Sequence, residues 1–453
     1  MTRPTLITIG FLAVLSFFNL TTWAVERFPP PDFSQSGHQL PHPTTPPPRA
    51  QFYEYLDVAV LLIALTLASY LALKKRSRRG LFILMIFSLA YFGFWRQGCV
   101  CPIGAIQSVS EALFNHNYAI PVTVLAFFLL PLIFTLFFGR SFCAAVCPLG
   151  AVQDIVLIHP LSVPRPLEQV LGLPAYLYFG LAVLFAATGS AYIICQYDPF
   201  VAIFRMNIVP HRNHLDILIL GGSFIVIGMF VGRPYCRFLC PYGVLLRTFS
   251  RVSKWHVTIT PDQCVQCRLC ENSCPFGAIE KPSPPLSSSS IFYTSDKKRL
   301  AFLLVLLPFL IIAGGFLGSL SGEPLSHMHD RIRLAERINL EESGQVPDTT
   351  DASDAFRASG QTITELNKEA YLLVNHFVLG GWFLGGFMGL VIGGKLIRLT
   401  INQTRKDYLA NRSQCLACGR CFSYCPMEQE RLKQLSDNQP DEQKPYESKK
   451  TSL

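Results

Sequence analysis

The sequence predicts an all-α polytopic membrane protein with seven to eight transmembrane helices, an internal pseudo-twofold repeat and a small cytoplasmic α+β module. Half of the residues are hydrophobic and 15% are charged, whereas about a quarter of the residues in soluble domains are charged. Apolar runs of spanning length recur along the chain, and Lys and Arg cluster at several of their ends. The net charge of +9 follows this membrane pattern, so we expect no nucleic-acid partner. All 15 cysteines fall into short motifs between or beside these runs.

The N-terminal segment, residues 1–24, contains an apolar run of spanning length behind Arg3. We interpret it as an uncleaved transmembrane helix. A cleaved signal peptide is the open alternative, because Thr22 and Ala24 are small enough for a cleavage site. Residues 25–54 follow as an extracytoplasmic linker, since their dense prolines leave no core-forming pattern.

The orientation follows from the basic cluster between Lys74 and Arg79, which closes the next apolar run. Positive clusters stay on the cytoplasmic side, so the run at residues 55–73 points inward. Counting onward predicts a transmembrane core at residues 55–254, with further spans at 81–96, 119–138, 174–194 and 215–232.

A second membrane unit covers residues 297–398 and forms a hairpin. Its two apolar runs flank a polar extracytoplasmic segment at residues 321–370, where the alternating charges around 330–342 are typical of an exposed helix. The tail at residues 431–453 is polar, and we expect it to be disordered.

Two cysteine runs, within residues 255–285 and 410–430, share the spacing C-x2-C-x2-C-x3-C-P. The first contains Cys264, Cys267, Cys270 and Cys274, and the second contains Cys415, Cys418, Cys421 and Cys425. Bacterial ferredoxins hold 4Fe-4S clusters with this run. Four thiolates also suit zinc, but the tight triple spacing followed by proline is the iron–sulfur form. The charge rule alone places both runs in the cytoplasm, where thiols stay reduced.

The two ferredoxin runs are expected to share their ligands. In two-cluster ferredoxins, the fourth cysteine of each run binds the cluster of the other run. If the hairpin at 297–398 is an insertion, its ends meet at the cytoplasmic face. Cys425 would then complete the cluster of the first run, and Cys274 that of the second run.

The transmembrane core contains a repeat of helix, cysteine site, helix and cysteine site. Each half ends in a C-x3-C-P motif preceded by Gly-Arg; the motif cysteines are Cys143 and Cys147 in one half, and Cys236 and Cys240 in the other. Folding such a duplication into a pseudo-twofold bundle brings the two motifs together. We therefore predict a third 4Fe-4S cluster at these four cysteines, which we call the inner site. The proline after each motif suits the first turn of a helix, which leaves backbone N–H groups free for cluster sulfurs.

The same folding brings a second group of residues together at the outer end of the repeat. This outer site consists of Cys99, Cys101, Cys195 and Asp198, the last standing where the other copies have the second cysteine of the motif. It is predicted to bind metal and would hold a fourth cluster. A disulfide with one free thiol, or cysteines packed as small apolar residues, are the alternatives at this stage.

A polar cluster at the outer end of the second half is a candidate quinone or anion site, with interfacial anchoring as the alternative. It comprises Arg205, His211, Arg212, His214 and Asp216.

The paired C-x3-C-P motifs followed by a ferredoxin run give the sequence a family resemblance. Over roughly residues 80–280 it resembles the NosR/NapH-type membrane polyferredoxins. The resemblance implies a multi-pass protein of the bacterial inner membrane. It also implies electron transfer from quinol or cytoplasmic donors toward an extracytoplasmic reductase or flavoprotein. The outer cysteines and the late second ferredoxin run depart from that pattern, so neither pathway of the family is assigned.

The predicted function is therefore electron transfer through a chain of membrane sites, which we call a membrane wire. It carries electrons from a cytoplasmic donor or quinol to an extracytoplasmic redox partner such as a flavoprotein. The inner and outer sites are expected up to about 30 Å apart, the hydrocarbon thickness, unless they are recessed. A quinol dehydrogenase with structural outer cysteines is one alternative. A redox-sensing regulatory or maturation factor for a periplasmic metalloenzyme is another.

Overall fold

The computed structural model describes residues 50–98, 101–115, 118–161, 163–198, 203–204, 215–259, 264–282, 290–400 and 407–437. The predicted N-terminal helix, nearly all of the Pro-rich linker, and Cys99 lie outside these residues. The quinone candidates Arg205, His211, Arg212 and His214 lie outside them as well, as does the side chain of Asp216.

The first part of the chain forms a bundle of apolar helices linked by short ones. Its long helices are α1 (Gln51–Leu73), α2 (Arg78–Ser88, continued as a π-helix over Leu89–Trp95), α3 (Pro102–Phe114), α4 (Val122–Phe138), α8 (Leu173–Ala187) and α10 (Leu215–Gly228). The short ones are α5 (Ser141–Ala145), α6 (Pro148–Ile155), α7 (Arg165–Leu171), α9 (Ile193–Tyr197), α11 (Pro234–Phe238) and α12 (Pro241–Ser250).

Within the described residues, five helical stretches are long and apolar enough to cross a membrane: Gln51–Leu73, Arg78–Trp95, Pro166–Ala187, Lys298–Ser326 and Ile363–Thr400. The predicted spans at 119–138 and 215–232 are shorter than expected, with apolar helices at Val122–Phe138 and Ile219–Gly228. Gly139 ends α4 with a φ of 69°, a conformation that favours glycine. Both short helices lead into C-x3-C-P motifs, so the chain leaves the helix early to build the inner site.

The hairpin predicted at 297–398 is formed by two very long helices, α13 (Ser290–Ser326) and α16 (Ile363–Thr400). Glycines let their backbones touch: a Cβ on Gly318 would collide with the Gly381 carbonyl oxygen, and one on Gly385 with that of Gly314. Such small-residue contacts are typical of helix pairs in membranes.

The polar segment between the two hairpin helices is helical as well. It contains α14 (Asp330–Glu342), where the sequence predicts an exposed helix, and α15 (Asp351–Ala358). One face of α14 is buried, because Ile332, Ala335 and Ile338 pack against Phe356 and against residues at the start of α16.

A two-stranded antiparallel sheet joins the two ferredoxin runs. Strand β1 (Ile279–Glu280) pairs with β2 (Leu409–Ala410), with Ile279 opposite Ala410. Short helices α17 (Leu269–Ser273) and α18 (Arg420–Ser423) carry the central cysteines, and α19 (Pro426–Asp437) follows the second run. The predicted disordered tail therefore begins inside a helix.

The ferredoxin module and the helical bundle share one contiguous buried core. Phe422 is fully buried, and the Arg76 guanidinium lies over its ring at 5.1 Å from the centroid. A Cβ on Gly419 would lie 3.3 Å from a methyl carbon of Leu81 in α2. The module thus rests directly on the end of the bundle where α1 and α2 meet.

Candidate iron–sulfur sites

The first ferredoxin site is a pocket lined by Cys264, Cys267, Cys270 and, from the other run, Cys425. Gln266 and Arg268 adopt left-handed backbone conformations, with φ of 51° and 63°, which wrap the loop around this pocket. Burial raises the pKa of Cys270 to about 11.

The second ferredoxin site has the complementary composition. Cys415 and Cys421 both lie within electrostatic range of Cys418 and of Cys274 from the first run. Burial is the main effect on Cys415 and raises its pKa to about 12. Each run therefore contributes three cysteines to one site and its fourth cysteine to the other, which is the arrangement that the spacing predicts.

The inner site is a cavity lined by Cys143, Cys147, Cys236 and Cys240, with Arg140 and Arg233 beside them. Each thiol is at most 9% exposed. Prolines begin α6 and α12 immediately after Cys147 and Cys240, as the motif predicts. Four converging thiols around a buried cavity are a donor set that suits a 4Fe-4S cluster.

Hydrogen-bond donors surround the sulfurs of the inner site. The Gly243 N–H lies 3.3 Å from Cys240 Sγ, and Arg140 Nη2 lies 3.7 Å from Cys143 Sγ. Gln153 Nε2 lies 3.3 Å from Cys236 Sγ, while Gln153 Oε1 accepts from the Tyr235 N–H at 3.1 Å. Donors of this kind orient thiolate ligands and tune cluster potentials. The four cysteines, the two arginines and these hydrogen-bond donors fit a 4Fe-4S cluster.

The outer site is also assembled from separate helices, and Cys99 lies outside the described residues. Cys101, just before α3, has Asp198 and Cys195 as electrostatic neighbours. A Cβ on Gly104 would lie 3.3 Å from Cys195 Sγ, so the first turn of α3 rests against α9. Asp198 is 5% exposed.

The inner and outer sites are neighbours. Cys101 lies within electrostatic range of Cys240, and Ile103 of α3 lines the inner cavity. Tyr235 has both Asp198 and Cys240 as electrostatic neighbours. Of the two arrangements that the sequence left open, a separation of up to about 30 Å or recessed sites, the structure has the recessed one, because α3 carries Cys101 into the bundle.

A buried carboxylate, Asp154, binds three arginines beside the inner site. Its Oδ2 lies 3.0 Å from Arg78 Nη2, and its Oδ1 lies 3.2 Å from Arg420 Nη2 and 3.7 Å from Arg233 Nε. Burial raises the pKa of Asp154, but Arg233, Arg420 and Arg78 outweigh it and hold the pKa below its ordinary value. This cluster ties α2, α6, α11 and the second ferredoxin run together.

Arg233 connects this carboxylate to the cysteine sites. It is fully buried, donates a hydrogen bond to the Cys143 carbonyl and has Cys236 and Cys418 as electrostatic neighbours. Its φ of 51° is uncommon for a residue other than glycine. Arg233 thus lies between the inner site and the second ferredoxin site.

The sequence reasoning missed Asp154, Gln107 and Gln153 as site residues. The two glutamines end the matched stretches that begin at Cys101 and Cys147, so their equal offset was a usable signal. Asp154 follows Gln153 as a lone carboxylate in an apolar helix. Its three arginine partners come from distant parts of the chain, and no local pattern indicates them.

Comparison with known proteins gives the class. One 4Fe-4S binding domain family matches twice, at residues 120–162 and 213–260, and each match contains one C-x3-C-P motif. A second 4Fe-4S binding domain family matches residues 256–279, which contain the first ferredoxin run. With its apolar helices, the chain is a membrane protein with 4Fe-4S binding domains.

Several known proteins are similar to parts of the chain. NirI of Paracoccus denitrificans is 28% identical over 126 residues, which cover 27% of this chain and 18% of NirI. YccM of Escherichia coli, named as a candidate electron transport protein, is 25% identical over 122 residues, 26% of this chain and 33% of YccM. An uncharacterized protein of Methanocaldococcus jannaschii is 42% identical over 52 residues, 12% of this chain and 21% of that protein.

The chain thus spans only about a fifth to a third of these relatives' lengths. No solved structure matches it. The predicted resemblance to membrane 4Fe-4S electron-transfer proteins is confirmed, and the similarities indicate an iron–sulfur electron-transfer role.

Proposed function

We propose that the protein is a membrane electron carrier that connects a cytoplasmic donor, or quinol, to an extracytoplasmic redox partner. The observation that carries this proposal is the continuity of its cysteine sites. The first and second ferredoxin sites exchange their fourth cysteines, Arg233 lies between the second ferredoxin site and the inner site, and the inner site adjoins Cys101.

The ligands of this carrier are proposed site by site. The ferredoxin sites take Cys264, Cys267, Cys270 and Cys425, and Cys415, Cys418, Cys421 and Cys274; the inner site takes Cys143, Cys147, Cys236 and Cys240. Bound 4Fe-4S clusters would accept and release single electrons. The chain itself holds the sulfurs, excludes water and supplies compensating charge from Arg140 and Arg233.

Topology supports the proposed orientation. The basic residues from Lys74 to Arg79 lie in the turn after α1 and in the first turn of α2, at the end of the bundle on which the ferredoxin module rests. Arg78 donates a hydrogen bond to the Cys418 carbonyl at 2.9 Å. The basic cluster and the ferredoxin module therefore lie at the same end of the helical bundle. By the positive-inside rule that end is cytoplasmic, in the inner membrane of a bacterium.

Electron transfer across sealed vesicles tests the function. The protein is purified anaerobically and reconstituted into liposomes that enclose ferricyanide, with dithionite added outside. We expect wild-type protein to bleach the trapped ferricyanide, because the ferredoxin sites of outward-facing molecules accept electrons directly. Cys236→Ala should abolish the bleaching while keeping the iron of the ferredoxin sites.

The control variant is Arg333→Gln, at a 63% exposed side chain in the polar segment. It should bleach ferricyanide at the wild-type rate. Bleaching no faster than in protein-free liposomes would contradict the proposed function and favour a regulatory or maturation role. If a quinol analogue bleaches the trapped ferricyanide and dithionite does not, electrons enter the protein from quinol.

A further inference from the structure

We propose that Cys101, Cys195 and Asp198 bind an additional iron–sulfur cluster, at a site built on the same plan as the inner site. This inference rests on the proposed electron-transfer function and adds to it a carrier that the matched 4Fe-4S domains, at residues 120–162 and 213–260, do not contain.

Two glutamines show that the sites share a plan. In the inner site, Gln153 Oε1 accepts from the N–H of Tyr235, the residue before Cys236, at 3.1 Å. In the outer site, Gln107 Oε1 accepts from the N–H of Ile194, the residue before Cys195, at 2.7 Å. Each glutamine lies at the same offset from its Cys-Pro pair and is fully buried. The same clamp therefore holds a short cysteine-bearing helix in both places.

The other end of each glutamine side chain points to a ligand. Gln153 Nε2 donates to Cys236 Sγ at 3.3 Å. Gln107 Nε2 is buried and has no hydrogen-bond partner in the described structure. A buried amide N–H left without an acceptor costs roughly 1–3 kcal/mol. Cluster sulfur beside Cys195 would supply the acceptor that Gln107 lacks.

The donor groups of the outer site fit an iron–sulfur cluster. Cys101 has Asp198 and Cys195 as electrostatic neighbours, and Cys195 Sγ lies against the first turn of α3, 3.3 Å from the position of a Cβ on Gly104. Iron would take the two cysteine sulfurs as ligands, and Asp198 would supply an oxygen ligand at the position of the missing motif cysteine. A disulfide between the two cysteines would leave the buried Gln107 Nε2 without an acceptor.

Iron and sulfide quantification with matched variants tests this site. Full-length wild-type protein, Cys195→Ala and Cys236→Ala are purified anaerobically, and iron is counted per chain. Four clusters of four iron atoms predict about sixteen in the wild type and about twelve in each variant. The EPR signals lost in the two variants should differ, because different sites are emptied.

The outcomes separate this inference from the proposed function. About twelve iron atoms in both wild type and Cys195→Ala, with a loss of about four in Cys236→Ala, would overturn the outer cluster and leave the proposed function intact. No loss of iron in Cys236→Ala would overturn the proposed function itself.

A second variant covers the case in which Cys195→Ala fails to fold. Asp198→Cys restores the motif residue and should keep about sixteen iron atoms while changing the EPR signal of the outer site. An unchanged EPR spectrum in Asp198→Cys would overturn the inference. So would a disulfide between Cys101 and Cys195 found by alkylation and mass spectrometry of anaerobic wild-type protein.

Discussion

The inner and outer sites share a local arrangement but differ in charge and in exposure to solvent. Both use a Cys-Pro helix start and a glutamine clamp, yet the inner site has four buried cysteines and two buried arginines, Arg140 and Arg233. The outer site has an aspartate in place of one cysteine, and its Cys195 is exposed. The same local arrangement is thus found at one sealed site with compensating charge and at one open site beside it. Under the proposed function, the sealed site would hold electrons within the protein and the open site would exchange them with a partner.

Removing the buried carboxylate of Asp154, beside the inner site, should have the largest effect on stability and iron content. Asp154→Ala leaves Arg233, fully buried, without its carboxylate partner. Breaking such a buried pair costs about 3–5 kcal/mol, so the variant should lose thermal stability and iron from the inner and second ferredoxin sites. Thermal unfolding followed by tryptophan fluorescence, together with iron analysis, checks this.

The matched control is Asp330→Ala, whose side chain is 82% exposed and pairs with Arg333. Exposed pairs contribute about 0–1 kcal/mol, so its melting temperature should stay close to wild type. Equal melting temperatures for Asp154→Ala and wild type would show that the carboxylate does not organise the inner site.

Variants of the two glutamines should have smaller effects, and each should alter only its own site. Gln153→Leu leaves the buried Tyr235 N–H unpaired and removes a donor to Cys236, which should cost about 1–3 kcal/mol and shift the EPR signal of the inner site. Gln107→Leu should instead shift a signal of the outer site and leave the inner signal unchanged. If both variants alter the same signal, the two glutamines do not serve separate sites.

Arg233 offers the smallest predicted change, in reduction potential. Its positive charge lies beside Cys236 and Cys143 and favours the more negative, reduced state of the inner site. Arg233→Met should lower the potential of that site by about 59 mV, a tenfold change in a one-electron equilibrium. An EPR-monitored redox titration measures it. Arg333→Gln, remote and exposed, should leave every potential in place, and an unchanged inner potential in Arg233→Met would contradict the assigned role.

Local patterns in the sequence predict which cysteines lie together better than they predict the architecture around them. The C-x2-C-x2-C-x3-C-P spacing predicts from two-cluster ferredoxins that Cys425 and Cys274 exchange sites, and the structure places Cys425 beside the first run and Cys274 near the second. The shortened helices before the C-x3-C-P motifs were not predicted, since hydropathy alone does not indicate where Gly139 ends a helix. The proximity of Cys101 to Cys240 depends on α3 entering the bundle, and the partners of Asp154 come from three distant segments. Both are tertiary features without a local signal.

The most direct test of the account is the magnetic interaction between the inner and outer sites. EPR spectra of fully reduced wild-type protein should show splitting or broadening of the inner signal by a second paramagnetic centre close to it, because Cys101 and Cys240 are neighbours. In Cys195→Ala that interaction should vanish while the inner signal itself persists. Identical inner signals in the two proteins would contradict the claim that the outer site continues the electron path.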